Sequence, residues 1–217
     1  MCGRFSFSYS QRIIEELFDI EVDAAEFKPR YNCAPTQNLA VISNENPKKL
    51  SFYKWGLIPF WAKDISIGNK MINAKAETIL EKPSFKTSFK SRRCLVLADS
   101  FYEWKQDKDK VPYRILMKNE EPFAMAGIWD KWKDAEGKEI HSFSIITTEA
   151  NELMKDLHHR MPVILSRADE KKWLESTDID LLTSLLRPFD PEQMEAYSIS
   201  RMVNSPANDK AEIHLRI

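Results

Sequence analysis

Between residues 94 and 147 the chain carries five apolar-rich runs in close succession, at 94–98, 101–105, 113–117, 123–129 and 140–147, with turn residues between them. Runs so short and so regularly spaced predict an antiparallel sheet curled into a barrel. Upstream, 39–43 and 50–57 flank Asn44-Glu45-Asn46-Pro47 and predict a hairpin. The expected fold class is α+β: a single domain over residues 1–217, strands dominant, its antiparallel strands forming a barrel-like sheet with flanking helices. With 217 residues and 43% hydrophobic content, the chain has enough apolar material to bury one such core.

Helix signals are local. Ser8 or Ser10 caps a short helix with Ile13, Ile14, Leu17 and Phe18 at helical spacing, and Thr147 or Thr148 caps another over 149–157. Ser166 with Asp169, and Thr177 with Asp180, form capping boxes ahead of 171–175 and 181–186. Pro29-Arg30-Tyr31-Asn32-Cys33-Ala34-Pro35 reads as irregular because prolines bracket it. Residues 58–93 are irregular too, and a long connection inside a compact domain is more often functional than idle.

The net charge of −1 announces neither a nucleic acid nor a membrane as partner, but it is unevenly spread. Residues 54–93 hold nine Lys/Arg against three Asp/Glu, an excess of six, which leaves −7 on the remainder and predicts a basic face. Three cysteines, Cys2, Cys33 and Cys94, fit neither a disulfide framework nor a C-x-x-C metal pattern, so a reducing compartment, no metal and no cofactor are expected. No apolar run reaches 18 residues and the first 25 lack a signal-peptide core, so the expected location is cytoplasmic.

The chemistry concentrates at Met1-Cys2-Gly3-Arg4-Phe5. With Met1 removed, Cys2 presents an α-amine of pKa about 7.7–8.0 beside a thiol of about 8.5. Such a 1,2-aminothiol condenses with an aldehyde, amine first to an imine, thiol next to a five-membered thiazolidine. The amine can also serve as base for its own thiol, as in N-terminal nucleophile enzymes. Condensation needs proton transfer. Glu103, in Phe101-Tyr102-Glu103-Trp104, is flanked by aromatics that would desolvate it and raise its pKa. His158 and His159 close the predicted 149–157 helix, where the dipole favours a protonated imidazole. Asn73 offers an amide to orient a hydroxyl or stabilise an oxyanion. Trp55, Phe60 and Trp61, interleaved with Lys54, Lys63, Lys70 and Lys75, offer stacking surfaces beside phosphate partners, and Lys86 and Lys90 extend the basic segment.

Six ordered motifs stand out: Met-Cys-Gly-Arg-Phe, Arg30-Tyr31-Asn32-Cys33-Ala34-Pro35, Trp55-Gly56-Leu57-Ile58-Pro59, Asn73-Ala74-Lys75-Ala76-Glu77-Thr78, Phe101-Tyr102-Glu103-Trp104 and His158-His159-Arg160-Met161-Pro162, within a resemblance that spans residues 2 to about 205. Together they resemble the SOS-response-associated peptidase (SRAP) family of abasic-site processing proteins. The resemblance implies the SRAP fold and a DNA-repair protein that links itself covalently to abasic sites in single-stranded DNA. It implies Cys2 as nucleophile, Asn73 positioning the opened sugar, Glu103 and His158 handling protons, and Arg4, Lys75 and Arg160 at phosphates, with Trp61, Lys86 and Lys90 on the same DNA-binding surface. It further implies lyase and thiol autopeptidase activities, and a monomer is the expected state. Two positions depart from the family pattern: Lys75 stands where Arg is usual, and His159 where Asp is usual. An N-terminal-Cys glutamine amidotransferase, a thiol-dependent peptidase and a noncatalytic single-strand binding module remain open alternatives at this stage.

Overall fold

A computed structural model describes residues 2–217. The first half contains β1 (Phe5–Phe7), α1 (Gln11–Phe18), β2 (Arg30–Cys33), β3 (Asn38–Ser43), β4 (Ser51–Trp55), β5 (Asn73–Lys75), α2 (Pro83–Ser91), β6 (Arg93–Ala98) and β7 (Ser100–Trp104). There follow β8 (Pro112–Met117), β9 (Phe123–Lys133), β10 (Glu139–Glu149), α3 (Glu152–Lys155), β11 (Arg160–Pro162), β12 (Ile164–Leu165), α4 (Arg167–Glu175), α5 (Ile179–Ser184) and β13 (Met194–Ser198). None of the helices is long and apolar enough to cross a membrane among the described residues.

The expected barrel is present: β10, β4, β3, β6 and β9 pair in that order, and β9–β10 pairing closes the ring. It is not purely antiparallel, because β4 and β5 lie end to end along one edge of β10 and both run parallel to it. Trp55 stands opposite Phe143, and Asn73 opposite Ile145. The other edge takes β9 and then β11, Thr147 standing opposite both Lys75 and Pro162. At eleven residues, β10 is long enough to hold two successive partners on each side. Residues 56–72 are therefore an excursion out of a single strand line. Gly56 leaves that line at φ 122°, and a Cβ there would sit 2.5 Å from Gly68 O, so the excursion closes on itself through backbone contact that only glycine permits. Leu57 N–H donates to Met71 O at 3.0 Å and Trp55 Nε1 donates to Ile72 O at 2.9 Å, which returns the chain to Asn73.

A second sheet, ordered β13-β8-β7-β1-β2, carries the N-terminal segment. The supposedly irregular Pro29–Pro35 stretch contains β2, because the prolines bracket the strand rather than interrupt it and Cys33 pairs with Phe5. Alternation along the barrel strands divides the core in two. One cluster joins Val41, Trp55, Val96 and Phe143 to Phe5, Phe101, Ile115 and Cys2. The other joins Ile42, Leu95, Leu97 and Ile128 to Phe89 of α2, Trp173 of α4 and Leu182 of α5.

Three helix expectations are corrected. No helix starts at Thr147 or Thr148, since both stay in the β10 ladder opposite Pro162 and Met161; the helix shrinks to α3, capped by Asn151 Oδ1 accepting Met154 N–H at 3.0 Å. Ahead of α5, the cap is Asp178 rather than Thr177. The box at Ser166 is a side-chain pair, its hydroxyl donating to Asp169 Oδ2 at 2.7 Å rather than capping a backbone N–H.

Candidate active site and nucleic-acid interface

Cys2 lies ahead of β1, fully buried in the cluster of Phe5, Trp55 and Phe101. Its carbonyl accepts a hydrogen bond from Asn73 Nδ2 at 2.8 Å. Asn73 is held by the β5 ladder on β10, so the excursion that ends at Ile72 delivers one polar side chain onto the main chain of residue 2. Burial first and the Glu103 charge second push the Cys2 thiol up to about 12, while the Arg4 backbone N–H acts in the opposite direction. Removal of Met1 concerns a residue outside the described residues.

Glu103 shares the Phe101 face of β7 by strand alternation and is only 4% exposed. Burial raises its carboxyl above the ordinary range, in the direction its aromatic flanks imply. His158 differs from expectation. Its pKa is pulled down to about 4, by burial first and by His159, whose ring stacks on it at 4.3 Å. The helix before it has four residues, too short to hold an imidazolium by its dipole. Its Nδ1 accepts the Arg160 N–H at 3.0 Å, so the neutral ring carries its proton on Nε2 and is poised as a donor.

Arg4 and Arg160, expected at phosphates, have guanidinium groups engaged with the protein. Arg160 Nη1 and Nη2 form a bidentate pair with Glu77 at 3.0 and 2.9 Å, while Nη2 and Nε also donate to Thr147. Glu77 and Thr147 went unassigned from sequence because 83 and 13 residues separate them from Arg160; only the two edges of β10 bring them together. Arg4 Nη1 donates to Asn32 Oδ1 and to Val203 O, each at 2.7 Å, and burial lowers its pKa.

Lys75 is exposed at the end of β5, two residues beyond Asn73. Phe60 and Trp61 are 55% and 48% exposed at the excursion's tip, beside exposed Lys63 and Lys70. Trp55 is core instead, stacked on Phe143 with an 8° interplanar angle. Lys86 and Lys90 are exposed one turn apart on α2, a helix that packs through Phe89 on the second cluster rather than the one holding Cys2. Two of the nine cations between 54 and 93 leave the basic face: Arg93 is 2% exposed and donates to carbonyls including Trp173 O at 2.7 Å, and Arg92 pairs with Asp130 at 2.6 Å. Cys33 and Cys94 are buried free thiols. No group of three or more His, Cys, Asp or Glu converges as a metal site would require, among the described residues.

The family described as SOS response associated peptidase (SRAP) matches residues 1–206. The abasic site processing protein YoqW of Bacillus subtilis (strain 168) is 51% identical over 98% of both chains. The abasic site processing protein HMCES of Xenopus tropicalis is 30% identical over 88% of this chain and 67% of its own. A crystal structure of a Bacteroides thetaiotaomicron protein superposes with a TM-score of 0.92 and 34% identity, covering 100% of both chains.

Proposed function

Because the chain belongs to the SOS response associated peptidase (SRAP) family, we propose that it processes abasic sites in single-stranded DNA, capturing the lesion covalently through Cys2 once Met1 is gone. The observation that carries this is the convergence on one residue: Asn73 holds the Cys2 carbonyl, and a buried carboxyl, Glu103, acts on its sulfur.

An abasic deoxyribose is an aldehyde in equilibrium with its ring form, and a base-less nucleotide is already unstacked, so drawing it into a pocket costs little. The α-amine adds to the C1′ aldehyde, the oxygen takes a proton and departs as water, and an imine remains. The Cys2 sulfur then attacks the imine carbon while the thiol proton passes to nitrogen, closing a thiazolidine with one water lost overall. A thiol whose pKa stands near 12 must give up its proton as it attacks. Glu103, raised by burial, is the neighbouring group able to relay that proton. The Nε2–H of neutral His158 is suited to hydrogen-bond the departing oxygen, whose two protons come from the α-amine nitrogen. Phe60 and Trp61 offer faces for bases on either side of the gap, and the exposed lysines offer charge to the backbone.

The direct test is denaturing electrophoresis of processed protein mixed with abasic single-stranded DNA. In that assay Glu103→Gln and His158→Ala slow adduct formation at saturating DNA by about 10²–10⁴-fold, with affinity for intact DNA held within a few-fold. His159→Ala does much less. A Glu103→Gln variant that lost DNA binding outright would show the carboxylate to be structural.

Noncovalent binding weakens with salt by about 0.7 log units per decade for each phosphate neutralised on a single strand. Lys75→Ala lowers affinity evenly across sequences and makes that slope shallower by about 0.7. Titration against intact single-stranded DNA at several salt concentrations measures it, and an unchanged slope would place Lys75 off the DNA path.

A further inference from the structure

Alternation along β1 turns Phe5 toward the Cys2 cluster and sends Arg4 and Ser6 to the opposite face of the sheet, where Ser6 meets Ser100 and Asp99. On that face Arg4 meets a strap formed by residues 203–209. Asn32, fully buried on β2, is the buckle: its Oδ1 accepts from Arg4 Nη1, and its Nδ2 donates to Val203 O, Ser205 O and Asn208 O at 3.3, 3.0 and 2.6 Å. Asp209 fastens the far end, Oδ1 accepting the Tyr31 and Asn32 N–H groups at 2.6 and 2.9 Å and Oδ2 accepting from Arg30 Nε. The Arg4 carbonyl accepts Tyr102 N–H at 2.9 Å, one residue before Glu103. Both the side chain and the carbonyl of Arg4 are thus anchored, two residues after the buried Cys2.

We propose that Arg4 is a positioning residue for covalent capture: the 203–209 strap, acting through Asn32, grips its guanidinium from behind the sheet and so fixes the main chain two residues after Cys2. This rests on the capture proposed above and assigns the cation a different place from a phosphate contact. Strap and thiol lie about 200 residues apart in sequence, yet Val203 O reaches Arg4 directly, |i−j| being 199. A loosened Arg4 side chain takes from the Cys2–Phe5 segment its anchor on the strap, leaving Asn73, the Tyr102 N–H and the β1 ladder to hold it.

The test compares processed wild type with Arg4→Met, Arg4→Lys and Asp209→Asn in two assays. With saturating abasic single-stranded DNA, Arg4→Met slows adduct formation by up to about 10²-fold, the penalty of a misplacement near 1 Å. Affinity for intact DNA and its salt slope stay as in wild type, and Arg4→Lys, which keeps a cation able to reach the same two oxygens, recovers most of the rate. Without DNA, alkylation of Cys2 by iodoacetamide becomes faster in Arg4→Met, because the buried thiol is released. Asp209→Asn gives the same opposed pair of changes in smaller measure. Unchanged capture at saturation with a salt slope shallower by about 0.7 would make Arg4 a phosphate contact and overturn the proposal. Equal alkylation rates across the variants would overturn it as well, and that arm needs no DNA: wild type forming no adduct at all would sink the capture reading, with the alkylation comparison still deciding the positioning role.

Discussion

Processed protein carrying Cys2→Ala forms no heat-stable adduct with abasic single-stranded DNA, whereas wild type gives a DNA-sized shift that survives denaturation. The expected loss is complete rather than partial, because the thiazolidine needs a sulfur on the carbon next to the amine-bearing one, and both Cys33 and Cys94 lie inside the chain with no α-amine to offer. The alanine variant remains folded. Cys2 contributes a small side chain at the margin of a cluster dominated by Trp55, Phe101 and Phe143, and its truncation costs on the order of 1 kcal/mol. Circular dichroism and intact-DNA binding verify that. Cys2→Ser retains the amine and so makes only a reversible imine, which borohydride traps and heat releases. An undiminished stable adduct with Cys2→Ala would end the mechanism.

A chain with residues added ahead of Cys2, or with Met1 retained, binds abasic DNA and does not cross-link. In either case the nitrogen of Cys2 is an amide, its lone pair delocalised into the carbonyl, and it cannot add to an aldehyde. The thiol alone gives at most a reversible hemithioacetal. The comparison uses two preparations with identical internal sequence, their N-termini established by mass spectrometry, on the same abasic oligonucleotide. Equal cross-linking by both would exclude the α-amine. Incubating the Met1-bearing chain alone and finding the loss of one residue would separate self-processing from a general peptidase activity.

The reach of local signals differs from one element to the next. The runs at 94–98, 101–105, 113–117 and 123–129 each became a strand, since their apolar pattern matches burial on the pleated surface. β1, β2 and β13 have three to five residues and gain stability only from their neighbours, so nothing local marks them. Residues 58–93 hold a 3-10 turn, β5 and α2, each shorter than the window in which periodicity is legible.

The aminothiol on which the proposed capture rests belongs to residue order alone. An α-amine and a thiol on adjacent carbons exist wherever a cysteine follows a removable methionine, whereas Phe-Tyr-Glu-Trp only sets aromatics beside its carboxylate, and the sheet decides that it is buried, to 4% exposure. Charge and polarity of the other partners belong to the tertiary structure. Arg4 and Arg160 look identical in the sequence to phosphate-binding arginines, and are drawn inward because Asn32 with Val203 and Glu77 with Thr147 meet them from strands and turns that only the fold brings beside them. His158, at an apparent helix end, suggests an imidazolium. The structure makes it neutral, because burial and the stacked His159 ring pull its pKa down to about 4, and β10 continues through Thr148 and leaves α3 too short for a dipole to offset them. Bond connectivity is intrinsic to the chain; which donors, acceptors and charges surround each group depends on contacts spanning as many as 71 and 199 residues, and no local pattern carries them.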